Sequence, residues 1–128
     1  MVDMEKLTIN LTPVDLGQIE LLVEQGFYSN RAEFIRIAIR DQLAKHADTL
    51  RDAATRQAYV IGALIYGRST LEEARSTGKR IAIRVVGFLS ISDDVTPELA
   101  RETIESISVH GIFRAGKAVK DALADRTR

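Results

Sequence analysis

The forty-four residues from Met4 to Ala47 restrict this chain most, because they begin with a strand that has nothing of its own to pair with. Over Glu5–Leu11, Leu7, Ile9 and Leu11 fall on one face at period two, and Lys6, Thr8 and Asn10 fall on the other. A lone strand leaves its backbone N–H and C=O groups unsatisfied and is unstable in water. The most economical partner is the same strand of a second copy, which gives a two-stranded antiparallel ribbon across a two-fold axis. Its apolar row would then cover the helices that follow, and its polar row would point outward.

Two helices follow. Thr12-Pro13-Val14-Asp15 opens the first, with Thr12 as N-cap, Pro13 where a missing N–H costs nothing and Asp15 at the positive helix end. Val14, Ile19, Leu22 and Val23 form its apolar stripe, and Gly26 stops it. Ser29 or Asn30 caps the second helix, where Asn30 and Glu33 fit a capping box. Phe34, Ile35, Ala38, Ile39 and Leu43 make its buried stripe, and Arg36, Arg40 and Lys45 stay outside.

Three pieces now stand in fixed order: Lys6-Leu7-Thr8-Ile9-Asn10-Leu11-Thr12-Pro13, the turn Gly26-Phe27-Tyr28-Ser29-Asn30-Arg31, and the helix Arg31-Ala32-Glu33-Phe34-Ile35-Arg36-Ile37-Ala38-Ile39-Arg40. Together they resemble the ribbon-helix-helix, CopG-like transcriptional regulators, over about the first third of the chain. The resemblance implies an intertwined homodimer whose β-ribbon enters the major groove of double-stranded DNA, with the N-terminus of the second helix gripping a phosphate. The residue chemistry agrees. A major groove admits a two-stranded ribbon. Lysine donates to guanine, asparagine bridges adenine's donor and acceptor, and threonine serves either partner or a thymine methyl. Lys6, Thr8 and Asn10 are therefore the expected base-reading face. Ser29, Asn30 and Arg31 are the expected phosphate contacts, and Leu7, Ile9, Leu11, Phe34, Ile35 and Ile39 the expected dimer core.

Charge gives this reading little help. The chain carries 18 basic and 18 acidic residues. In the first 46, Lys6, Arg31, Arg36, Arg40 and Lys45 face Asp3, Glu5, Asp15, Glu20, Glu24, Glu33 and Asp41, a net charge of −2. Non-specific attraction to DNA is then weak, and binding depends on local charge placement and on salt. With no cysteine, disulfides, thiolate nucleophiles and thiolate metal sites are excluded. The start, Met1–Lys6, lacks the basic and apolar regions of a signal peptide. The longest uncharged apolar run, Ala58–Tyr66, is nine residues and too short to span a bilayer. A cytoplasmic protein without a membrane partner is expected.

Beyond Leu43 the helical spacing continues through Ala47, Leu50, Ala54, Gln57 and Ile61, with no Gly or Pro between Arg31 and Ile61. This predicts that the second helix runs on as a stalk, packed either on a second copy or on its own chain. The remainder repeats itself. Val85–Ile91 matches Val109–Ala115 at an offset of 24, and a fainter copy, Val60–Tyr66, precedes them by 25. Each unit reads as a strand and a short helix: Ser69 or Thr70 caps one helix, which Gly78 ends; Thr96-Pro97 opens the next; Lys117–Asp125 forms the last. Three such units would lay strands in parallel with helices along one side, and the edge strands of so small a sheet invite pairing with another copy.

The expected fold is thus α+β. A ribbon-helix-helix domain occupies residues 1–47, a helical linker 48–59, and a small repeat-like α/β domain for oligomerisation or partner binding 60–128. His46 and His110 lack metal-ligand spacing, and Asp93-Asp94 read as turn and cap chemistry rather than a cation site. No Gly-rich phosphate loop, nucleophile elbow or acid/base pair appears, so neither an enzyme nor a cofactor is expected. The leading function is a sequence-specific DNA-binding regulator, a homodimeric repressor. Two rivals remain: an antitoxin-type protein whose C-terminal half binds a partner protein, and a structural protein that self-assembles through its β-rich half.

Overall fold

A computed structural model describes residues 4–128. Met1–Asp3, part of the segment weighed against a signal peptide, lie outside the described residues. One compact unit spans Glu5–Ala53 and a second contains Ala54–Arg128.

In the first unit, α1 covers Pro13–Glu24 and α2 covers Arg31–Lys45. Thr12 Oγ1 accepts the N–H of Asp15 at 3.2 Å, and Asn30 Oδ1 accepts that of Glu33 at 2.8 Å. Asn30, not Ser29, is therefore the cap of α2. Gly26 ends α1, with the N–H of Phe27 returning to the carbonyl of Leu22 at 3.0 Å. Ile19 is buried, and Leu22, Val23, Phe34, Ile35 and Ala38 are half-buried. Tyr28 meets Phe34 edge to face, with ring centres 5.0 Å apart.

Two expectations for this unit fail within one chain. Met4–Leu11 forms no strand, and the apolar row is not covered: Leu7 is 85 % exposed and Ile9 61 %. A strand exists only as part of a ladder, and one chain supplies no partner for this segment. The continuous stalk is also absent. His46 leaves helical geometry (φ −108°, ψ 12°), so α2 stops at Lys45 and a separate helix, α3, runs over Ala47–Arg56.

Helix α3 ends at a tight reversal. Ala58 takes φ +56°, the N–H of Tyr59 donates to the carbonyl of Ala54 at 2.8 Å, and that of Ala58 to Thr55 at 3.3 Å. This bond pair closes a helix, ordinarily with glycine at the left-handed position. Ile61, expected as the last rung of the helical seam, consequently lies in a strand.

The second unit alternates strand and helix: β1 Val60–Tyr66, α4 Arg68–Ser76, β2 Ile81–Ile91, α5 Pro97–Thr103, β3 Ile104–Arg114 and α6 Lys117–Ala122. The strands form one parallel sheet in the order β1-β2-β3. The offsets of 25 and 24 are its registers, pairing Val60 with Val85 and Val85 with Val109. One face of the sheet gives Ile83, Val85, Leu89, Ile91 and Ile107 to a core shared with Leu71 of α4, Leu99 and Ala100 of α5, and Val119 of α6. Gly67, with no side-chain hydrogen bond, stands at the N-cap of α4 in place of Ser69 or Thr70; Arg68 Nε reaches Glu72 at 2.7 Å across the first turn. The last helix is shorter than expected: α6 stops at Ala122, and a 3-10 turn at Ala124–Arg126 follows.

Gly62, Gly87 and Gly111 make one row across the three strands, with φ of +144°, +138° and +130°. A Cβ at Gly87 would run into the carbonyl oxygen of Gly62, and one at Gly111 into that of Gly87. Around Gly62 the same position is open.

Candidate nucleic-acid interface

The polar row Lys6, Thr8 and Asn10 is exposed along Met4–Leu11, immediately before the Thr12 cap that starts α1. The second expected patch lies at the start of α2. There a shifted capping box forms, in which the Glu33 carboxylate reaches back past the cap, Asn30, to the residue before it. Asn30 receives the N–H of Glu33, and Glu33 Oε2 accepts the N–H of Ser29 at 2.7 Å. Hydrogen bonds from the Ser29 side chain and backbone hold the Glu33 carboxyl below its ordinary range, so the box is built around a carboxylate.

This geometry divides the three expected phosphate contacts. The backbone N–H of Ser29 is already engaged by Glu33. The amides of Asn30 and Arg31, and that of Ala32, enter no hydrogen bond among the described residues. They sit at the positive end of a fifteen-residue helix, where an anion is favoured. The Arg31 guanidinium lies 3.6 Å from the Glu20 carboxylate of α1. That contact is exposed on both sides, so it orients Arg31 while holding it weakly. Ala32 is not among the expected contacts; the amides expected to bind phosphate are those of Asn30 and Arg31. The Glu20–Arg31 contact needed the helix pairing to become visible.

The apolar residues of the expected dimer core do not close over one another. Phe34 and Ile35 are half-buried, whereas Leu7, Ile9, Leu11 and Ile39 are exposed. An open cleft of about 310 Å³ lies between the two helices, lined by Leu11, Asp15, Gln18, Ile19, Leu22 and Phe34. Among the described residues no group of three or more His, Cys, Asp and Glu side chains could hold a metal ion. No helix among them is long and apolar enough to cross a membrane. His110 is exposed against the Tyr59 ring, with centres 5.3 Å apart.

Comparison with known proteins agrees with these local features. Transcriptional regulator CdrS of Halobacterium salinarum is 36% identical over 45 residues, 35% of this chain and 82% of that protein. Putative nickel-responsive regulators of Methanococcus maripaludis strains C5 and C7 are 41% identical over 46 residues. That match covers 36% of this chain, which spans only about a third of their length, 33%. No solved structure matches the chain. The model of the ribbon-helix-helix transcriptional regulator family matches residues 2–120, nearly the whole sequence. The chain belongs to the ribbon-helix-helix transcriptional regulator family.

Proposed function

We propose that this transcriptional regulator is a homodimeric repressor that reads DNA through a ribbon made from residues 5–11 of two chains. The observation that carries this reading is the apolar row Leu7, Ile9 and Leu11, left in water by a chain that otherwise caps its helices with care. Burying a Leu or Ile side chain is worth roughly 1.5–3 kcal/mol, so two copies gain several kcal/mol by covering the row and its counterpart with each other's helices. Pairing the two strands also satisfies their backbone groups. Lys6, Thr8 and Asn10 then project from both copies on one surface, toward base edges. The amides of Asn30 and Arg31 bind the flanking phosphates, and Ser29, whose N–H and hydroxyl are both given to Glu33, holds the turn that presents them. The net charge of −2 near the reader implies modest affinity for random DNA and a strong dependence on salt.

The second unit supports this reading over the antitoxin alternative. A segment that wraps a partner is commonly disordered until bound. Ala54–Arg128 instead has its own core, with Leu71, Val85, Leu89, Ile104, Ile107 and Leu123 wholly buried.

The test is selection of binding sites from random duplex DNA, followed by titration of the selected site. Changing Lys6, Thr8 and Asn10 together to Ala removes up to three base contacts per chain at about 1–3 kcal/mol each. Specific affinity is expected to fall at least 100-fold while the solution mass stays that of the parent. Unaltered site binding by the triple variant defeats the assignment of the reading face.

A further inference from the structure

The two edges of the parallel sheet are finished differently. At β3 the outer edge is occupied: Thr127 bridges to Ile107, and the N–H of Arg128 donates to the Ile107 carbonyl at 2.9 Å. Strand β3 also carries Glu105, His110 and Arg114. At β1 none of these devices is present. From Gln57 to Gly67 the sequence has no charged residue and no proline. An edge strand without charge, proline or cover is a template for another strand.

The directions of the β1 backbone groups define what that strand must be. The carbonyl of Tyr66 accepts the N–H of Ser92, just past β2, and the carbonyl of Gly62 also points to β2, toward Gly87. Successive residues of a strand turn their N–H and C=O groups to opposite edges. Ile61, Ala63 and Ile65 therefore direct theirs away from β2, to the open edge. Their side chains lie on the sheet face opposite the helices, since Leu64 and Tyr66 pack against the helical core. Ile61 is 58 % exposed and Ile65 67 %.

We propose that β1 pairs antiparallel with β1 of a second copy about a two-fold axis at Ala63, joining two three-stranded sheets into one of six strands. The occupant is a second copy because the strand is complementary to itself. Centred on Ala63, Ile61 meets Ile65 of the second copy, Ala63 meets Ala63, and every outward N–H finds a carbonyl. Gly62 falls opposite Leu64 of the second copy, and the empty space beside Gly62 receives that side chain. No like charges meet along the uncharged run. The contact is separate from the N-terminal ribbon, so a chain using both would assemble dimers into tetramers along adjacent DNA sites, raising local concentration where net charge does not.

The register supplies a charge-swap test on the full-length protein, read by solution mass from light scattering over a range of concentrations. With Ile61→Lys and Ile65→Lys together, lysine faces lysine across the two-fold axis, and the mass is expected to halve. With Ile61→Lys and Ile65→Glu, lysine faces glutamate, and the parent mass is expected to return. A double-lysine variant of unchanged mass overturns the proposal. So does a halved mass in both variants, which would mean that β1 meets a different strand or a different register. Retained circular dichroism shows that the sheet is intact, and Ala63→Pro, which removes a central donor from an edge that tolerates proline, repeats the test without charge. A parent of four chains falling to two keeps the ribbon reading. A parent of two chains falling to one supports the β1 contact and sinks the ribbon dimer.

Discussion

Between Glu5 and Ala53, among the described residues, only Ile19 is buried as an apolar side chain, whereas the segment Ala54–Arg128 encloses a core drawn from β2, β3 and the helices α4, α5 and α6, with Leu64 and Tyr66 of β1 packed against it. Both regions show good local chemistry. Thr12 and Asn30 cap the helices of the first, and Thr96 caps α5 of the second by accepting the N–H of Leu99 at 3.2 Å. The difference lies in closure. Parallel strands with helices on one side fold their apolar faces together within one chain. The extended segment 5–11 and the helices after it have more apolar surface than they can cover. On the proposed reading, well-formed helices with an unmet apolar row are one half of a core that two chains share.

The sharpest way to break that contrast is to truncate one side chain in each region. Leu89→Ala, at a wholly buried position, is expected to cost about 2–5 kcal/mol in denaturant unfolding whatever the protein concentration. Ile9→Ala would cost almost nothing if the single chain were the whole structure. With a shared core it weakens the dimer, so the variant is less stable than the parent at concentrations where the parent dimerises, and the stability of both falls on dilution. An Ile9→Ala variant that matches the parent at every concentration would remove the distinction between the regions.

A smaller effect separates the interior of the sheet from its open edge. Gly111→Ala places a methyl group against the carbonyl of Gly87 at φ +130°, and a loss of about 3 kcal/mol or more is expected because backbone has to move. Within one chain, Gly62→Ala meets open space at φ +144° and bears backbone strain alone, about 1–2 kcal/mol. Thermal unfolding of the two variants should rank them in that order; equal losses would mean that the glycine row is required by backbone conformation and not by the close approach of strands.

The smallest expected change lies where α3 gives way to β1. Ala58 occupies the left-handed position of a helix-closing turn that favours glycine. Ala58→Gly is expected to stabilise the chain by about 1 kcal/mol, because the relief of a 1–2 kcal/mol steric cost is offset in part by the greater freedom of glycine when unfolded. A loss of stability in the same unfolding assay would argue against the turn.

Much of this molecule was legible before its structure, and the legible parts are short in range. Thr12-Pro13 and Thr96-Pro97 specify helix starts through bonds spanning three residues. The capping box at Asn30 and Glu33 is readable from spacing alone, although the choice of Asn30 over Ser29 needed backbone angles. The offsets of 24 and 25 are visible as repeated letters and return as strand register, because identical neighbours in a parallel sheet place glycine beside glycine. The break at His46 was not legible: neither Gly nor Pro marks it. Alanine at a left-handed turn hid the end of α3 in the same way.

The sequence by itself determined the helix caps, the alternation of Leu7, Ile9 and Leu11 with Lys6, Thr8 and Asn10, and the strand-helix order of the second half, since each rests on neighbours a few residues apart. Tertiary structure alone decided which apolar rows find cover, where the helices stop and which sheet edge is left open. Those outcomes depend on surfaces meeting across long separations, and for Leu7 and Ile9 one chain holds no surface that meets them.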